Sequence, residues 1–197
     1  MNNMTPKQIE RIQIKIKKIR AALADEKRKF GCYDDSRGMR YIPPQLFVKI
    51  GDYKGGLVYM RWFKKNFSDD AGFPEFLFEW TLILFKNGKL KDAEQKAIEI
   101  YFSNSYLFDK YFGREIIPIE KYEYSNVSTA EFVQYFHYSS EQKELADFSE
   151  WLLEFEKSEI FQNIKEKYIE ISKRLLHEED TEIRGYLLGQ LRQLTNL

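Results

Sequence analysis

The sequence predicts an all-α protein: a stack of antiparallel helical hairpins between a long N-terminal helix and a C-terminal helical cap. Three observations predict it. Apolar residues recur at spacings of three and four along most of the chain, as in Ile9, Ile12, Ile16, Ile19 and Leu23. Five prolines and ten glycines in 197 residues favour long helices over many short strands. Between Phe47 and Ser103 the chain also states one pattern twice, and both statements turn at a glycine, Gly51 and Gly88.

The N-terminal helix is expected from Thr5, a cap followed by Pro6 in the first position, to Phe30, with Gly31 ending it. Its isoleucine stripe docks on the first hairpin or on a second copy of itself. Lys7, Arg11, Lys15, Lys17, Lys18, Arg20, Lys27, Arg28 and Lys29 surround that stripe. A basic amphipathic helix also suits nucleic acid or a membrane surface, but this stripe lacks the aromatic anchors of a lipid interface.

Residues Tyr33 to Pro44 follow, where an Asp or Ser cap opens the first helix of the first hairpin and Pro43-Pro44 either kinks it or moves its start. Gly51 then stands where a left-handed residue caps a helix cheaply, and Gly88 repeats the arrangement 37 residues on. After each comes a large residue (Tyr53, Leu90) and then a small one (Gly56, Ala93) that lets the second helix approach the first. Each hairpin keeps an apolar face that a neighbour must cover. Asp69-Asp70-Ala71-Gly72 joins the hairpins, and Pro74 opens the next helix.

The spacing is close to the roughly 34-residue period of the tetratricopeptide hairpin, and the two units resemble divergent members of that family. The resemblance implies a right-handed stack that holds partners on a concave face. From Asp35 to Tyr41, through the hairpins, to Asn104-Ser105-Tyr106-Leu107-Phe108-Asp109-Lys110-Tyr111 and Pro118, the order is similar to bacterial tetratricopeptide-like proteins. It is also similar to the suppression-of-tumorigenicity family, from which it departs at Ser105 and Phe112. Neither likeness brings catalytic residues with it.

A short helix over Tyr106 to Phe112 closes the hairpins, and the irregular stretch from Arg114 to Val127 borders the cap. Ser128-Thr129-Ala130-Glu131 reads as a capping box for a helix ending near Tyr138, and Ser139-Ser140-Glu141-Gln142 as a second, opening a helix through Phe155. Ile160, Ile164, Ile171 and Leu175 mark a third cap helix, and Ile183, Leu187, Leu191 and Leu194 a fourth. The expected organisation is therefore 1–32, an amphipathic helix on the repeats; 33–116, two hairpins and a closing helix; and 117–197, a cap continuous with them.

Lysine plus arginine balances aspartate plus glutamate at 31 each, yet residues 1–66 carry +10 and residues 67–197 carry −10. Such a split suits an acidic partner or nucleic acid, or mutual attraction of the two ends within or between protomers. The single Cys32 forms no internal disulfide, and no apolar leader or membrane-length segment is evident, so a cytoplasmic protein is expected.

Metal ligation needs clustered donors, which two histidines and one cysteine do not supply; no cofactor is expected. His137, between Phe136 and Tyr138, reads as a partly buried helix residue, and Asp34-Asp35 and Asp69-Asp70 as helix caps. Phosphate loops, nucleophile elbows and zinc-protease helices are absent, so no enzyme is expected. A surface remains. The tetratricopeptide resemblance implies a groove lined by Tyr41, Gln45, Lys49, Phe78, Leu82 and Lys86, with Arg37 and Arg40 at one mouth, that takes a protein or peptide partner. Phe78 and Leu82 would alternatively be core, covered by the first helix or by the cap. A homodimer, and a nucleic-acid-binding protein that uses the basic helix, are the other readings; no membrane partner is expected.

Overall fold

The first helix, α1, runs Pro6–Phe30 and begins with a reciprocal cap: the Gln8 amide donates to Thr5 Oγ1, and the Thr5 amide to Gln8 Oε1 at 2.7 Å. The structure, a computed structural model, describes residues 4–33 and 38–194. Ile16, Ile19 and Leu23 are buried, and α1 packs on the first hairpin through them. Of the two docking partners expected for the stripe, its own hairpin is the one observed. The proposed Asp or Ser cap of the next helix lies outside the described residues.

That helix, α2, spans Ile42–Ile50, so the two prolines sit in its first turn, where a missing N–H costs nothing. A 3-10 turn, Met39–Tyr41, precedes it. Gly51 (φ 70°) and Gly88 (φ 68°) both take the left-handed conformation at helix ends, as the repeated pattern predicts. Beyond them run α3, Tyr53–Asn66, and α5, Leu90–Ser103. Between these lies α4, Pro74–Lys86, which packs on α2, α3 and α5.

Helix α4 is the centre of the molecule because its sequence is apolar on every side: Phe76 to Leu84 are all buried. Phe76, Trp80, Ile83 and Leu84 join α1, α2 and α3 in one core, while Leu77, Phe78 and Leu82 join the C-terminal half in a second. The first core therefore crosses the expected limit at 32, and the second the one at 116.

Helix α6, Leu107–Tyr111, follows Asn104. The buried Asn104 side chain donates to the carbonyls of Val127 and Thr129 (2.8 and 2.9 Å) and accepts from the Tyr106 amide, pinning the irregular stretch to the hairpins. The helix expected from Ser128 to Tyr138 does not form. Short 3-10 turns, Asn126–Ser128 and Phe132–Tyr135, take its place, and the cap belongs to Ser125, whose amide donates to Ser128 Oγ. The reason is packing: burying both Val133 and Phe136 from a short segment folds it back on α6 rather than extending it.

The Ser139 box forms as a turn, its amide donating to Gln142 Oε1 at 2.9 Å, and a 3-10 turn precedes α7, Ala146–Lys157. Helices α8, Glu159–His177, and α9, Thr181–Leu194, complete the cap, which among the described residues thus has three α-helices rather than four. Ile160 and Ile183, read as core positions, are exposed. No strand occurs among the described residues.

Candidate functional site

The eight residues expected to line one groove are divided by the structure. Arg37 lies outside the described residues. Arg40 and Tyr41 are structural: Arg40 Nε donates to Asp70 Oδ2 at 2.7 Å, and the Tyr41 hydroxyl reaches the same carboxylate at 2.7 Å. Asp70 also accepts from the Gly72 amide, and the Tyr59 hydroxyl donates to the Arg40 carbonyl. Together these bonds fasten the 3-10 turn before α2 to the loop between the hairpins. Asp70 is therefore an anchor for Arg40 and Tyr41 instead of a helix cap. Burial, reinforced by Asp70, pushes the Tyr41 hydroxyl up to about 12.

Phe78 and Leu82 are fully buried, and this corrects their placement on an open groove. Phe78 is ringed by Tyr111, Phe136, Tyr138 and Phe148, all within 5.4 Å between ring centroids. The chain's own C-terminal half fills the face that the resemblance would leave open, since residues this apolar gain more from burial than from solvent. Lys86 is engaged as well, donating to the Glu144 carbonyl (3.1 Å) and to Asp147 (2.5 Å).

Gln45 and Lys49 remain exposed on α2 and line what is left of that groove. It is a cleft of about 480 Å³ between α1, α2 and residues 137–145, within the size range of ligand sites. Leu46, Val48, Tyr53 and Leu145 give it apolar surface; Lys15, His137, Gln142 and Glu144 add polar groups. Sequence reasoning missed these four. Lys15 stood among many solvent-facing lysines, and His137 was assigned to a helix that does not form; it is exposed in a segment without regular secondary structure.

Beneath the wall of the cleft, the Tyr138 hydroxyl donates to Glu79 Oε1 at 3.0 Å. Glu79 is 2% exposed and has no ion-pair partner among the described residues. Burial holds its carboxyl well above the usual range, and Glu75 one turn away reinforces this. The half-buried Glu75 is raised by burial too, opposed by His137. Burial likewise raises the Tyr138 hydroxyl, and Glu79 adds to that effect.

Among the described residues no group of three His, Cys, Asp or Glu side chains converges for a metal ion, and no helix is long and apolar enough to cross a membrane. No model of a protein family, no curated protein and no solved structure matches the chain.

Proposed function

We propose that the chain is a non-enzymatic interaction module that takes a short peptide segment of a partner protein into the cleft between α1, α2 and residues 137–145. The observation that carries this reading is the composition of the cleft: an apolar strip from Leu46 to Tyr53 beside Gln45 and Lys15, which have no hydrogen-bond or ion-pair partner among the described residues. An apolar surface flanked by available amide and ammonium groups suits a peptide, whose backbone needs donors and acceptors while one or two side chains are buried. Binding is favoured over catalysis because Glu79 and the cleft residue Tyr138, whose ionisation burial displaces strongly, are hydrogen-bonded to each other. In this reading α2/α3 and α4/α5 are two divergent tetratricopeptide-like units whose concave face has been narrowed to one cleft.

Selection of a displayed random-peptide library on the protein, followed by anisotropy titration of the enriched peptides, tests it. Gln45→Ala combined with Lys49→Glu changes two exposed side chains and should weaken those peptides at least tenfold without altering the helical circular-dichroism signal. Enriched peptides that bind both proteins equally, or a library that yields none, would overturn the proposal.

A further inference from the structure

Helix α1 has four cations, Lys7, Arg11, Lys15 and Lys18, on a single stripe. At about 100° and 1.5 Å per residue they fall within one side of the helix and follow each other at about 6, 6 and 4.5 Å along its axis. The buried Ile16, Ile19 and Leu23 lie about 120° round the helix from the centre of the stripe, so docking on the first hairpin leaves the stripe exposed, with Lys15 at its edge beside the cleft. All four are exposed, as are Lys17 and Arg20 beside them.

This charge is not arranged for stability. From Arg11 to Leu23 the chain has no acidic residue, and α1 has none in its first turn, where one would favour the helix dipole. Lys7/Arg11 and Arg11/Lys15 are like-charged pairs four apart, which oppose helix formation by about 0.2–0.5 kcal/mol each. None of the six cations has an ion-pair partner among the described residues, whereas at the other end of the same helix Asp25 pairs with both Arg28 and Lys29. The acidic half of the chain does not neutralise the stripe either: its recorded ion pair to residues before 67 is Arg40 with Asp70.

We infer that the Lys7–Lys18 stripe of α1 binds the phosphodiester backbone of nucleic acid. One strand presents a phosphate about every 3.4 Å of axial rise, so the stripe meets roughly every second one. An acidic peptide fits this face less well, because tight peptide recognition needs buried anchors and the stretch exposes Ile14 alone among large apolar side chains. A membrane surface fits less well again, because the apolar side of α1 is already covered by the hairpin. The net −10 of residues 67–197 repels a polyanion and favours contact through the basic first 66 residues, to which this helix belongs.

The test is fluorescence anisotropy of the full chain with a labelled 20-nucleotide single strand and its duplex over a salt series. Four contacts predict a slope of log affinity on log salt near −3 for the single strand. Combining Lys7→Gln, Arg11→Gln and Lys18→Gln should lower affinity at least tenfold in low salt and make that slope shallower by about 2. Because the variant also relieves like-charge pairs, its thermal midpoint should not fall, so lost binding is separable from lost folding. Gln45→Ala alone, which changes the cleft without changing its charge, should leave nucleic-acid binding unaltered, which separates this surface from the peptide cleft that shares Lys15 with it. Binding of polyglutamate or anionic lipid vesicles as tight as that of the oligonucleotides, or a triple variant with unaltered affinity and slope, would overturn the inference.

Discussion

Glu79 has one recorded hydrogen bond, from Tyr138, in a setting where a charged carboxylate would be desolvated without a counterion. Its folded-state pKa is therefore raised above the ordinary 4.5, by burial first and by Glu75 in addition, with Tyr138 opposing. The other titratable groups around it are His137 beside Glu75 and Tyr53 beside Tyr138. Raised in the fold and ordinary in the unfolded chain, the carboxyl contributes stability that is fully present below about pH 4.5 and lost as pH rises through the folded value. Each unit of displacement is worth about 1.4 kcal/mol. Glu79→Gln keeps an acceptor for Tyr138 and removes the titration. The variant should match the native protein near pH 4 and exceed it in denaturant midpoint at pH 7 to 8. An identical pH profile for the two proteins would show that Glu79 stays ionised when folded.

Helix packing turns on how closely α3 approaches its neighbours at Gly56. A Cβ built there lies 2.9 Å from Ile83 Cδ1 and 3.3 Å from Phe47 Cβ. Gly56→Ala gains about 1 kcal/mol in helix propensity, but overpacking of this kind costs about 1–3 kcal/mol. A net loss near 1 kcal/mol is expected in urea unfolding, and Ile83→Val, which removes the nearest methyl, should recover most of it. A stabilised single variant would mean that α3 and α4 can move apart freely. The approach of α3 to Phe47 on α2 was legible in the sequence, since a small residue at a fixed distance from a turn glycine states how near the two helices of a hairpin come, whereas the closer contact with Ile83 of α4 was not. The caps at Thr5 and the left-handed turns at Gly51 and Gly88 were legible for the same reason: each depends on a few neighbouring residues. The segment from Asn126 to Tyr138 was not. Its Ser-Thr-Ala-Glu box is a local helix signal, overridden by the burial of Val133 and Phe136 and by Asn104 holding the Val127 and Thr129 carbonyls from more than 20 residues away. The candidate cleft was half legible for the same physical cause. Gln45 and Lys49 came from the tetratricopeptide resemblance, whereas His137 and Glu144 reach it through a chain path that no local pattern encodes.

At the scale of the whole molecule, the two cores meet across α4 and share Val48, Tyr53, Phe85 and Trp151 as partly buried neighbours. Phe85 is the hinge of that junction, its ring centroid 5.0 Å from Trp151 and 5.4 Å from Phe148. Opening the C-terminal half would strip Leu77, Phe78 and Leu82 of cover while Phe76, Trp80 and Ile83 on the same helix stayed packed, which exposes half of a helix that has no polar face. The two halves are expected to unfold together for that reason. Trp62 and Trp80 report on the N-terminal core and Trp151 on the junction, so tryptophan fluorescence and far-ultraviolet circular dichroism should trace one coincident urea transition. Phe85→Ala removes the shared ring at a cost of up to about 3–5 kcal/mol, and it should both lower the midpoint and draw the two traces apart. Two separated transitions in the unaltered protein would show that α4 does not couple the halves, whereas coincident traces in the variant would place the coupling in α4 alone rather than in the aromatic junction around Phe85.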